Sequence, residues 1–201
     1  MKRLEISNKF IKAREINEIL EVINNSGVVI LPTDSGYSLV CKLGDKKAAT
    51  KISQLRNLGK NHLFTLLCHD LTQLSTYAKV DNVQFRLLKQ ILPAPITCIL
   101  LAQKDAPKIM QHEKRKTIGV RVPDSNILQE IIKSQNEALM SVSLFSGEDA
   151  NSYFYELADE IKNAVDLIVD CGDLLSQNTT VIDFMEMPPK VLRQGIYECD
   201  F

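Results

Sequence analysis

A chain of 201 residues suits one domain with a sizeable core. Apolar residues make up 45% and charged residues 24%, with a formal net charge of -1, which sets aside a disordered chain and whole-molecule steering of nucleic acid. No stretch approaches the roughly 20 apolar residues that span a bilayer, and the first residues carry no apolar signal core, so the expectation is one domain over 1–201, with its core at about 14–195, in the cytoplasm and away from membranes.

Residues 14–26 place Ile16, Ile19, Leu20 and Ile23 at helical spacing, with Gly27 as the cap. "VVIL" at 28–31 then reads as a buried strand, "LVCKL" as a second, and "KKAATKISQLRN" as a helix opened by Gly44-Asp45. "LFTLLC" follows as a strand, "LTQLSTYA" and "NVQFRLLKQIL" as helices, and "ITCILLA" as a strand after Pro93 and Pro95. "TIGVRV", "ALMSVSLF", "DLIVD", "TTVIDF" and "KVLRQG" read as further strands, with helices around 125–135 and 155–164 between them. Apolar strands alternating with helices predict an α/β sheet covered on both faces, and a mixed one, because the last connections are too short for crossovers. The five cysteines are odd in number, widely spaced and mostly inside apolar runs, which makes them reduced core residues.

Polar residues interrupt this pattern where strands end. Thr33-Asp34-Ser35 follows "VVILP", with Pro32 setting the exit angle and Gly36 allowing close backbone approach; an ordinary Asp/Ser/Gly turn accounts for it as well. Lys51, Arg56, Lys60 and His62 surround a helix end, and Lys114, Arg115 and Lys116 precede a strand; both groups also read as solvated surface. Arg121 lies inside an apolar strand, where a guanidinium is costly to bury without an anion. Ser141 and Ser143 share one strand face, and Thr179, Thr180 and Arg193 sit at strand ends. Together these positions predict a cationic, hydroxyl-lined cleft for phosphates and a carboxylate. The chain has no G-x-x-x-x-G-K-S/T loop, no G-x-G-x-x-G after a strand, no H-E-x-x-H and no G-x-S-x-G, and no nucleophile pairs with His62, His69 or His112. No catalytic nucleophile or base and no protein metal site is expected.

"PTDSGYSL", "TIGVRVPD", "SVS", "TTVID" and "VLRQG" occur in the order found in the YrdC-like family, and "PTDSGY" with "EKRKTIG" is most similar to its YciO branch. The resemblance implies a YrdC-like fold: a single twisted mixed sheet around a concave, positively charged cleft. It also implies threonylcarbamoyl-AMP synthase chemistry, which serves a tRNA modification. In that reaction L-threonine adds to CO2 or bicarbonate, and the carbamate attacks the α-phosphorus of ATP, with Mg²⁺ accompanying the nucleotide. Carried over by position, threonine would be held by Thr33, Thr65, Arg121 and Thr179. The nucleotide would be held by Arg56, Lys60, Thr117, Ser141, Ser143 and Arg193.

Two positions depart from the synthases. Gln54-Leu55-Arg56 stands for their Lys-x-Arg, and Ser141-Val142-Ser143 for their Ser-x-Asn. Both changes weaken the grip on phosphate, so reduced synthesis is expected, and hydrolysis of an adenylate is also open. A different role is binding of double-stranded RNA or tRNA through Lys46, Lys47, Lys51, Arg56, Lys60 and Lys114–Lys116.

Overall fold

The computed structural model describes residues 2–7, 10–59, 62–145 and 151–199. In chain order the elements are β1 (Lys2–Glu5), α1 (Ala13–Asn24), β2 (Val29–Thr33), β3 (Gly36–Lys42), α2 (Lys46–Leu55), β4 (Thr65–Leu67), α3 (Leu71–Tyr77), β5 (Ala78–Lys79), α4 (Asn82–Ile91), β6 (Ile96–Ala102), β7 (Thr117–Arg121), α5 (Asn126–Gln135), β8 (Leu139–Ser143), α6 (Asp159–Ala164), β9 (Leu167–Asp170), β10 (Thr180–Asp183) and β11 (Lys190–Arg193). The strands form one mixed sheet in the order β1-β9-β2-β3-β8-β4-β7-β6-β10-β11, with β5 pairing β6. Among the described residues no helix is long and apolar enough to cross a membrane.

Strand alternation sorts the core into two layers. In β2, Val29 and Leu31 pack with Ile16, Ile19 and Ile23 of α1 and with Ile127, Leu128 and Ile131 of α5. The intervening Ile30, with Val28 just before the strand, packs on the other face with Ala48, Ala49 and Ile52 of α2. Helices therefore cover both faces, as the apolar strand runs predict. The helices begin where short polar side chains meet free amides: Asp45 accepts from the Ala48 amide at 3.0 Å and Asp70 from Gln73 at 2.8 Å. Asp81 accepts from Val83 and Gln84, both at 2.8 Å.

The structure corrects two readings of the chain. β1 was not predicted; it is an exposed edge strand with no apolar alternation, and it is held by its parallel ladder to β9 and by the Arg3–Asp170 ion pair. After α1 the left-handed residue is Ser26, at φ 60°, rather than Gly27, whose amide bonds back to the Val22 carbonyl at 2.9 Å.

The face under α1 and α5 changes character along the sheet. Its apolar packing extends to Val40, Leu67 and Leu139. The same face then continues as Thr65, Ser141 and Ser143, with Thr65 paired to both Ser141 and Gly119, and Leu67 paired to Arg121. That switch from apolar to polar marks the place to look for a site.

Candidate functional site

A cleft of about 190 Å³ opens on this face, lined by β4, β6, β7, β8, β10 and β11 together with His62, Leu63 and Asn178. Six of the sequence-predicted positions come together in its lining: Thr65, Arg121, Ser141, Ser143, Thr179 and Arg193. Thr33, Arg56 and Thr117 lie outside the lining, and Lys60 lies outside the described residues. Thr117 is buried at the start of β7, four residues from Arg121 and so about 13 Å along the strand. Arg56 follows the end of α2, close enough to His62 to depress its pKa.

The β7 sequence "TIGVR" buries Ile118 and Val120 in the core, which leaves Thr117, Gly119 and Arg121 on the other face. Arg121 is only 3% exposed in its side chain, and its anion partner is internal: Nη2 donates to Asp34 Oδ1, with Asp34 itself only 6% exposed. Nη2 also reaches Ser35 Oγ at 3.1 Å, while Nε has no hydrogen-bond partner. Asp34 Oδ2 accepts from the Asp124 amide at 2.9 Å, so both of its oxygens are engaged.

Thr33 has a structural use. Its hydroxyl donates to the Gly36 carbonyl at 2.7 Å and accepts from the Ser35 amide at 3.1 Å, closing the turn that delivers Asp34 to Arg121. Gly36 sits at φ +101°, and a Cβ there would come within 2.6 Å of Ser176 Oγ. Ser35 in turn accepts from the Gln177 amide at 3.0 Å, which ties this turn to the segment carrying Asn178 and Thr179.

The opposite wall is a hydroxyl and guanidinium network. Thr97 and Thr179 share a hydrogen bond of 2.9 Å between their hydroxyls. Arg193 donates through Nη2 to the Thr179 carbonyl at 2.9 Å and to its hydroxyl at 3.1 Å, and Ser141 donates to the Thr65 carbonyl at 3.1 Å. Burial pushes the Arg193 guanidinium below its usual pKa, and the charge of Arg121 pushes it the same way. Burial also lowers Arg121, with Asp34 opposing the shift. Two arginines that repel each other, one with a buried donor left over, suit an anionic ligand between them. His62 is lowered by burial and then by Arg56, so it enters the cleft as a neutral imidazole.

A larger cavity of about 950 Å³ adjoins the cleft and shares His62 and Leu63 with it. Gln54 and Asn57 line it from the end of α2, and Lys108, His112 and Lys114 from the segment before β7. Lys47 and Lys51 line a separate groove, where Lys51 is paired with Asp166 at 2.7 Å. Asp34, Ser35 and His62 belong to the polar stretches that the sequence places at the cleft, without a contact assigned to each, whereas Thr97 and Asn178 were not singled out. Thr97 carried a weaker signal than Arg121, a hydroxyl inside the apolar run "ITCILLA".

Fold and cleft place the molecule among mixed-sheet α/β domains with a polar site on one sheet face. A family model for Sua5, YciO and YrdC proteins, described as "Telomere recombination", matches residues 21–195, and the chain belongs to that family. It is 44% identical to YciO of Escherichia coli, a protein described as uncharacterized, over 91% of this chain and 90% of that one. The crystal structure of that YciO superposes with a TM-score of 0.90 at 40% identity, covering 98% of both chains. A putative threonylcarbamoyl-AMP synthase of Methanocaldococcus jannaschii is 26% identical over 95% of each chain. Sua5 of Pyrococcus abyssi, solved in complex with L-threonine, shares the fold at a TM-score of 0.84 and 21% identity, covering 97% of this chain and 58% of that one.

Proposed function

We propose that the cleft binds the carboxylate of L-threonine and that the chain forms, or acts on, threonylcarbamoyl adenylate. The observation that carries this reading is the Arg121–Arg193 pair facing a small hydroxyl-lined space, with Arg121 Nε lacking a partner. Pockets for drug-sized ligands measure about 300–1,000 Å³, so the 190 Å³ cleft suits an amino acid and the adjoining 950 Å³ cavity a nucleotide. The relatives named as threonylcarbamoyl-AMP synthases and the threonine complex of Sua5 support the same assignment.

In this reading the threonine amine adds to CO2 derived from bicarbonate, one carbamate oxygen attacks the α-phosphorus of ATP, and pyrophosphate leaves. No protein nucleophile is required; the chain's task is to hold carbamate and α-phosphorus in line while water is kept away. Arg121 and Arg193 grip the carboxylate, Ser141 and Ser143 line the cleft beside them, His62 and Leu63 stand where the two cavities adjoin, and Lys108 and Lys114 meet the phosphates. Among the described residues no three His, Cys, Asp or Glu side chains cluster to hold a metal. In this reading Mg²⁺ would enter with ATP and offset the charge of its phosphates.

Incubation with ATP, L-threonine, bicarbonate and Mg²⁺ is expected to yield pyrophosphate and the adenylate by mass spectrometry. If neither forms beside a working synthase, synthesis is excluded, and release of AMP from preformed adenylate then tests the hydrolytic direction. The pair Gln54→Lys and Ser143→Asn is expected to raise synthesis. Gln54 lines the larger cavity and Ser143 the cleft, and one restored charged hydrogen bond is worth about 1.5–3 kcal/mol, or about ten- to a hundredfold in rate. Unchanged turnover in the double variant counts against this account of the two positions.

A further inference from the structure

We propose that Asp34 sets the charge preference of the cleft: by neutralising Arg121 it leaves Arg193 as the one uncompensated cation in the lining among the described residues, so the site takes a singly charged carboxylate and rejects a phosphate dianion. The inference rests on the proposed assignment of the cleft to an anion and deepens it.

Asp34 is not available as a ligand contact. Its oxygens are taken by Arg121 Nη2 and by the Asp124 amide at 2.9 Å, and its side chain is almost fully buried, so it cannot swing aside when a ligand enters. With Nη2 occupied by Asp34 and Ser35, the buried Nε–H of Arg121 is the donor left without a partner, and it is offered to one oxygen of an entering carboxylate.

Charge then decides between anions that this donor can meet. Arg193 rests on the Thr179 carbonyl and hydroxyl, which are neutral, and no carboxylate pairs with it among the described residues. His62, depressed by burial and by Arg56, adds no charge. A monoanion entering next to Arg121, Asp34 and Arg193 brings the group to neutrality. A dianion leaves an excess negative charge beside the fixed Asp34 carboxylate, where water is scarce and repulsion poorly screened. The phosphates of a nucleotide, and the pyrophosphate or inorganic phosphate of the surroundings, are thereby kept out of the amino acid position and left to the outer cavity with Lys108 and Lys114.

The test is titration of the Arg121 Nε–H resonance by nuclear magnetic resonance with sodium acetate and with inorganic phosphate, at a mildly alkaline pH where phosphate is a dianion. In the wild type, acetate is expected to shift the signal at concentrations lower than phosphate by on the order of tenfold or more. Asp34→Asn, which keeps the shape and one of the two acceptor oxygens while removing the charge, is expected to reverse that order. Adding Arg193→Gln to it returns the net charge and the acetate preference. Equal weakening of both anions in Asp34→Asn, or an unchanged preference, overturns the proposal, as does a wild type that prefers phosphate or responds to neither anion. Should Asp34→Asn fail to fold, Arg193→Gln alone decides: acetate binding must fall and phosphate binding vanish, and acetate binding at the wild-type level refutes the proposal. A protein that discriminates acetate from phosphate but ignores L-threonine removes the threonine reading and leaves the role of Asp34 standing.

Discussion

Arg121→Ala is expected to weaken L-threonine binding by at least about a hundredfold and to lower the stability of the fold by about 3–5 kcal/mol. Both effects come from one buried contact. The Arg121 side chain is 3% exposed and Asp34 is 6% exposed, so removing the guanidinium strands a carboxylate that has only the Asp124 amide left to satisfy it. The two effects separate in the double variant Arg121→Ala with Asp34→Ala, which has no stranded charge. Its unfolding midpoint should recover most of the loss, whereas threonine binding by calorimetry should stay absent. Arg121→Lys gives an intermediate case, keeping the charge but losing the planar guanidinium that meets Asp34 through Nη2 and offers Nε to the ligand. Wild-type threonine affinity in Arg121→Ala removes this residue from the site. A stability change below about 1 kcal/mol shows that Asp34 reaches water or another partner when Arg121 is gone.

The same contact shows how far the amino-acid sequence could be read. A charge inside "TIGVRV" marks Arg121 as needing an anion, but its partner lies 87 positions away, and no local spacing connects them. The hydroxyl and carboxylate of "PTDS" are visible as polar groups after a buried strand. Which of them closes the turn and which meets the arginine depends on the positive φ of Gly36 and the passage of Ser176 behind it. Thr97 escaped notice because a threonine fits a strand as well as a valine does, and only its bond to Thr179 reveals a use. For the fold, the runs at Val28–Leu31 and Ile96–Ala102 announce buried strands, and the spacing of Ile16, Ile19 and Ile23 announces a helix. β1 makes no such announcement, since "KRLE" offers a single apolar residue, the half-buried Leu4, and takes its form from its ladder to β9.

Gly195→Ala is expected to cost about 1–3 kcal/mol of stability and to reduce ligand binding by about tenfold or more, although residue 195 is outside the cleft lining. A Cβ at this position would lie 2.2 Å from the Asn178 carbonyl oxygen, 2.4 Å from the Thr179 carbonyl carbon and 2.5 Å from the Thr180 amide nitrogen. All three are backbone atoms, so no side chain can turn away to make room. The chain after β11 must instead move off the start of β10. Three contacts hold these segments together: the Gly195 amide donates to Thr180 Oγ1 at 3.0 Å, the Ile196 amide to the Asn178 carbonyl at 3.0 Å, and Thr180 Oγ1 to the Tyr197 carbonyl at 2.6 Å. Arg193 is two residues away and reads its position from the Thr179 carbonyl, so any separation moves its guanidinium relative to Arg121. Gly59→Ala serves as the stability control, because a methyl there meets nothing within 4 Å and the unfolding midpoint should not change. If Gly195→Ala unfolds with the wild-type midpoint and binds threonine with wild-type affinity, the segment after β11 does not hold Arg193 against Thr179, and the wall of the cleft formed by β10 and β11 must be positioned by the sheet alone.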